Sequence, residues 1–292
     1  MRPHVALVVA ALLTATACSS GSSASVPGVS SSPADSESPS PTTSPTSAAS
    51  VVEGSTDPLA APTIQGRFAL ADGRNLALEC WGEGSPTVVL VGGHPSDGIR
   101  DFDDSPFARF LAQETRTCAY ARSGYLGSDP APNEPRDADD VIGELNELLA
   151  VAEVDGPFVL VGSSFGGMIV TYYAARYPED VVGVVMLDVP PPSATLTLAE
   201  IPELAWDHPA NPERVDVIPE FETRFANERL PITAPITVIT ATDGQSSVEE
   251  QRIWLEISDN ATQIELEGGH DIYFNAPTAC ADEVIKLVEA AR

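Results

Sequence analysis

Basic residues are scarce in this 292-residue chain: 15 lysines and arginines stand against 43 aspartates and glutamates, a formal charge of −28. That balance excludes a nucleic-acid binder and a protein held on anionic lipid by a basic patch. Aromatic residues are few, at 6%, while the hydrophobic total of 43% is ordinary for a chain with one large core. A chain of 292 residues can build one large core that needs no disulfide scaffold. Only four histidines occur. His94, His208 and His270 show no ligand spacing and the acids are dispersed, so neither a metal nor a cofactor is expected. Internal repeats are lacking.

What is present begins with a segment that does not belong to the fold. Met1, Arg2 and His4 give a short positive start, and the apolar run Val5 to Leu13 is too short to cross a bilayer as a helix. Together they predict an export signal over residues 1–18. Its end, Ala15-Thr16-Ala17-Cys18-Ser19-Ser20, resembles the lipobox of bacterial lipoproteins, with Ala15 where a leucine-like residue is usual. The resemblance implies a lipidated Cys18 and an anchor on the outer face of the cell membrane. Cleavage near Ala17, as in an ordinary secreted protein, would instead release the chain. Residues 19–63 are rich in Ser, Pro and Thr and cannot bury enough apolar surface to order themselves, so a disordered tether is expected.

Residues 64–292 read as one domain. Ile64 to Leu70 and Asn75 to Trp81 flank the turn signal Ala71-Asp72-Gly73-Arg74 and predict a hairpin. Further strands are expected at Thr87 to Val91, Arg116 to Arg122, Phe158 to Val161, Val181 to Leu187, Ile236 to Thr240 and Thr262 to Leu266. Helices are expected at Ser105 to Glu114, Asp137 to Val154, after Ser164 as far as Tyr177, Ser247 to Ile257 and Thr278 to Ala291. The clearest is Asp137 to Val154, whose Val141, Leu145, Leu148, Leu149 and Ala152 fall on one stripe. Strands alternating with helices predict an α/β fold, an eight-stranded mostly parallel sheet covered on both faces. Residues 189–230 break this rhythm with prolines and mixed polarity and are expected to form a short inserted cap.

Within this frame Phe158 to Val170, FVLVGSSFGGMIV, carries the chemistry. An apolar strand breaks at Gly162 and restarts at once as a helix, which places Gly162-Ser163-Ser164-Phe165-Gly166 on a strand-to-helix turn. Such a G-x-S-x-G elbow holds its serine in a strained conformation with the hydroxyl above the sheet. Only Ser164 has glycine both two before and two after it, so Ser164 is the nucleophile candidate.

The stretch Thr87 to Ser164 resembles a bacterial α/β-hydrolase. Arg122-Ser123-Gly124-Tyr125-Leu126-Gly127-Ser128-Asp129 is similar to that superfamily's D-R-x-G-x-G-x-S segment, with Ala121 in place of the aspartate. Gly162 to Gly167 is similar to its G-H-S-x-G-G, with Ser163 in place of the histidine. The resemblance implies a triad in the order serine, acid, histidine. His270, in Gly268-Gly269-His270-Asp271 after the last strand, stands where the superfamily carries its base. The acid has two candidates, Asp188 at the end of the Val181 strand and Asp243 after the Ile236 strand. The stretch Gln251 to Ser258 resembles families of the first kind and favours Asp188. Gly92-Gly93-His94-Pro95 resembles the superfamily's His-Gly-x-Pro, so the main-chain N–H groups of Phe165 and His94 are expected to form an oxyanion hole. In the strand order the resemblance implies, Cys80 and Cys118 lie side by side and form a disulfide, leaving Cys280 free.

The implied activity is that of a serine hydrolase. Ser164 attacks a carbonyl, His270 moves the proton, and water releases the acid from the acyl-enzyme. An ester is the expected substrate, because no peptide-terminus site is recognisable. An aspartate nucleophile would point to a dehalogenase or an epoxide hydrolase, and a serine at 164 excludes both. Two alternatives stay open: a catalytically inactive binding lipoprotein of the same fold, and cofactor-free peroxidase chemistry on the same triad. The expected partner is a small ester or other acyl compound, with no nucleic acid and with membrane contact only through Cys18.

Overall fold

The computed structural model describes residues 60–95, 98–103, 105–193, 195–227 and 230–292. The expected export signal, Cys18 and residues 19–59 of the expected tether lie outside the described residues.

Eight strands form one sheet: β1 (Ile64–Ala69), β2 (Asn75–Trp81), β3 (Thr87–Val91), β4 (Thr117–Tyr120), β5 (Phe158–Ser163), β6 (Val181–Leu187), β7 (Ile236–Asp243) and β8 (Ala261–Gly269). Their order is β1-β2-β4-β3-β5-β6-β7-β8. The β1–β2 and β2–β4 pairs are antiparallel and every later pair is parallel. The helices are α1 (Ile99–Asp103), α2 (Pro106–Glu114), α3 (Ala138–Val151), α4 (Phe165–Arg176), α5 (Arg224–Asn227), α6 (Val248–Gln251), α7 (Ile272–Asn275) and α8 (Pro277–Ala290).

The central strands are buried on both faces, as parallel strands covered by helices must be. Their side chains divide with the pleat. Val89, Val91, Leu160, Val184 and Met186 join one cluster with α3 and α4. Val88, Leu90, Val159, Val161, Val185 and Leu187 join the other with residues of α1, α2 and α8. Local signals start the helices. Ser105 accepts from the Phe107 N–H with Pro106 at the first helical position, and Asp137 and Asp140 form a reciprocal capping box.

Departures from expectation cluster at the ends of strands. The strand expected at Arg116 to Arg122 runs from Thr117 to Tyr120, and the Arg122 side chain beyond its end donates to Gly92 O. β8 runs on to Gly269, paired with Asp243 of an equally extended β7. The helix expected over Ser247 to Ile257 is α6 followed by a 3₁₀ turn over Arg252–Ile257. Helix α1 has too few residues to show a period, yet it buries Phe102 completely.

The segment between β6 and β7 holds a 3₁₀ turn at Pro202–Leu204 and a wide π-type turn at Ile218–Thr223 that continues into α5. Phe221 and Phe225 are buried against Tyr172 of α4, with ring centroids 5.2 and 4.5 Å away. The segment is therefore packed into the main core.

Candidate active site

Ser164 lies between β5 and α4 with φ 51° and ψ −126°. Non-glycine residues rarely hold a positive φ, and the surroundings must impose it. Here the Ser164 N–H donates to Leu187 O on β6 at 3.1 Å, and the Gly167 N–H donates to Ser164 O at 2.9 Å. The close crossing of strand and helix requires the flanking glycines: a Cβ on Gly162 would lie 2.4 Å from Gly166 O, and one on Gly166 would lie 2.1 Å from Val91 O. Phe165 opens α4, so its N–H has no partner one turn back in the helix.

His270 follows β8 directly. Its Nδ1 is 2.7 Å from Oδ2 of Asp188, which follows β6. Asp188 is fully buried. Besides His270, its carboxylate accepts from Gln251 Nε2 at 2.8 Å, the Ala241 N–H at 3.2 Å and the Gln245 N–H at 3.3 Å. Burial pushes this carboxyl up, but the hydrogen bonds from His270, Gln251 and Ala241 outweigh it and hold Asp188 below its ordinary range. An ionised acid facing Nδ1 favours the tautomer that carries its proton on that nitrogen.

Asp243, the other acid candidate, is exposed at the end of β7. Its neighbour Gly244 instead backs onto the Asp188 carboxylate. Nothing in the sequence marks Gln251 beyond its place at the start of the Gln251 to Ser258 stretch. Its Oε1 accepts from Thr240 Oγ1 at 2.9 Å, and Thr240 Oγ1 accepts from Gln263 Nε2 at 2.9 Å. That buried chain fixes which end of the Gln251 amide faces Asp188.

Ser164 and His270 open onto a shared cavity of about 370 Å³, together with Gly93, His94, Tyr273 and Phe274. It collects the expected nucleophile, base and oxyanion loop at the carboxyl end of the parallel strands, where open α/β sheets bind ligands. Among the described residues no cluster of three His, Cys, Asp or Glu side chains could hold a metal ion. Cys80 and Cys118 are register partners on β2 and β4 and are joined by a disulfide. Cys280 is free and buried, and burial pushes its thiol up to about 12.

The chain belongs to the alpha/beta hydrolase family, whose sequence model matches residues 88–235. Among curated proteins, the uncharacterized protein C23C11.06c of Schizosaccharomyces pombe is 32% identical over 136 residues, 38% of this chain and 25% of that protein. The uncharacterized protein YqjL of Bacillus subtilis is 29% identical over 107 residues, 37% of this chain and 41% of YqjL. The matches thus span less than half of either relative. Among solved structures, the epoxide hydrolase CorEH superposes with a TM-score of 0.65 at 15% identity, covering 78% of this chain and 99% of that one. The esterase EaEST from Exiguobacterium antarcticum gives 0.60 at 18% identity, over 76% of this chain and 98% of its own. At these identities the likeness is one of fold.

Proposed function

We propose that the protein is a serine hydrolase of carboxylic esters, working through an acyl-enzyme on Ser164. The observation that carries this reading is the shared cavity: a serine on a strained elbow and a histidine whose Nδ1 is held by a buried, ionised aspartate. His270 Nε2 takes the proton from Ser164 Oγ as Oγ bonds to the ester carbonyl carbon. The N–H groups of Phe165 and His94 receive the developing oxyanion. Collapse of the tetrahedral intermediate expels the alcohol, which takes its proton from His270. Water, activated by the same imidazole, then frees the acid. Asp188 stays ionised throughout and stabilises the imidazolium.

Both an epoxide hydrolase and an esterase share this fold. A serine at the elbow supports acyl transfer, because its attack on a carbonyl gives a serine ester that water cleaves, whereas its attack on an epoxide would give an ether that water does not. The reading is tested by turnover of a series of 4-nitrophenyl acyl esters with the mass of the enzyme followed through the reaction. Wild type should gain one acyl group and lose it again, while Ser164→Ala gains none. A wild type that turns over none of the esters and gains no mass would contradict it.

The proposal extends to location: an exported protein anchored through a lipidated Cys18. The buried Cys80–Cys118 disulfide supports export, since such bonds persist in oxidising compartments.

A further inference from the structure

The loop that follows β3 is held from beneath by one buried side chain. Arg122 is 4% exposed, and its guanidinium donates from Nη1 to Gly92 O and from Nη2 to Gly93 O, each at 2.6 Å. Its remaining edge meets a carboxylate: Nε is 2.8 Å from Glu213 Oε2 and Nη2 is 3.0 Å from Oε1. Glu213 is 3% exposed and comes from the segment between β6 and β7. Oε1 also lies 3.7 Å from His94 Nδ1, which hydrogen-bonds Tyr125 Oη at 3.1 Å.

The geometry of the peptide bond gives this arrangement a direction. The bond between Gly93 and His94 is trans, so its C=O and N–H point opposite ways. A guanidinium that fixes Gly93 O therefore also fixes the line along which the His94 N–H points. The contact to Gly92 O does the same for the N–H of Gly93. The guanidinium carbon lies 5.7 Å from the ring centroid of Phe165, the residue expected to carry the second donor. One planar cation is thus in touch with both sides of the expected oxyanion hole.

A cation buried under a donor loop needs a counter-charge, and Glu213 is the one it has. Glu213 is itself held in place, with Arg136 Nη1 donating to its carbonyl at 2.9 Å and Arg136 N–H donating to Arg214 O at 2.8 Å. Burial pushes the Glu213 carboxyl up, but the Arg122 charge and the His94 contact outweigh it and bring it down to about 2, so the pair stays charged at any working pH.

We propose that Arg122 and Glu213 form a clamp that holds the Gly93 backbone and so positions the N–H group of His94 over Ser164. On the reading that Ser164 is an acylated nucleophile, both are positioning residues of its oxyanion hole. The segment between β6 and β7 then completes the catalytic geometry as well as covering the sheet. Nothing local marks Glu213 for this role, because it lies among prolines in a stretch without periodicity.

The test uses the full chain as wild type, Glu213→Gln and Arg122→Lys. Two readouts are needed: ¹⁵N order parameters of the Gly93 and His94 amides, and kcat and KM for 4-nitrophenyl acetate. Glutamine keeps the size of Glu213 and removes the charge, and lysine keeps the charge of Arg122 but cannot reach two carbonyls and a carboxylate in one plane. In wild type both amides should be rigid, with values of about 0.85, and in both variants they should fall toward about 0.6. kcat should drop about 10- to 100-fold while KM moves less than about threefold, since an oxyanion donor acts mainly in the transition state. Unchanged order parameters would overturn the clamp whether or not the protein hydrolyses esters. Falling order parameters with unchanged kcat would overturn its link to the chemistry. Falling order parameters in a protein with no ester turnover in wild type would uphold the clamp and remove the esterase reading instead.

Discussion

Gly244 backs so closely onto Asp188 that a Cβ placed on it would lie 2.4 Å from Oδ2 and 2.5 Å from Oδ1. The carboxylate that hydrogen-bonds His270 is therefore wedged between an imidazole, an amide and bare backbone. A methyl group at 244 must push the carboxylate away, and it has no flexible neighbour to displace instead. Gly244→Ala should lower kcat/KM about 10- to 100-fold with the fold intact. Gly143→Ala is the control, because a Cβ there, in α3, meets nothing within 4 Å and should leave turnover unchanged. Equal activity of the two variants would contradict the wedge.

The acid itself separates by charge removal. Asp188→Asn leaves the His270 contact in place but offers an amide that no longer stabilises the imidazolium. It should cost about 10³- to 10⁴-fold in kcat. Asp243→Asn, at an exposed position, should stay within about twofold of wild type. The reverse ranking would move the acid to the end of β7.

Glu222 makes stability depend on pH. Burial pushes its carboxyl up to about 7, against which the Ser193 N–H donating to it at 3.0 Å acts only in part. The folded-state value lies above the ordinary 4.5. Between pH 4.5 and 7 the native state thus keeps a proton that the unfolded chain has released, so stability falls as pH rises through that window. Glu222→Gln should change little at pH 4.5 and stabilise by on the order of 3 kcal/mol at pH 8. Denaturant melts at the two pH values read the difference, and a gain that is equal at both would contradict it.

Cys80 and Cys118 tie β2 to β4 across 38 residues of sequence. Replacing both with alanine should destabilise by about 2–4 kcal/mol, seen as a lower melting temperature in the oxidised protein. Cys280 should resist iodoacetamide in the native state and react on unfolding, as its burial and raised thiol require. Fast native labelling of Cys280 would contradict the packing of α8.

How far the sequence reveals this site depends on how local each signal is. Ser164 is legible because the glycines that permit the elbow sit two residues either side of it, and the strand and helix adjoin it. His270 is legible because it follows the last strand. The sheet is legible because continuous apolar runs separated by helical stretches admit few arrangements. Asp188 and Asp243 end adjacent strands, and choosing between them requires the course of the chain after β7, where the pairing slips between Ala241 and Asp243. Gln251 reaches Asp188 across 63 residues, and Glu213 reaches Arg122 across 91. Contacts at such separations leave no periodic trace. Helix α1 escapes for the opposite reason, being too short to show any period.

The most direct measurement is covalent labelling of the purified full chain with a fluorophosphonate, which reacts with a serine only when a neighbouring base has activated it. Wild type should take up one probe per chain, and Ser164→Ala and His270→Ala should take up none while keeping the wild-type circular dichroism spectrum. A folded wild type that stays unlabelled, or a Ser164→Ala variant that labels as well as wild type, would contradict an activated serine at this elbow.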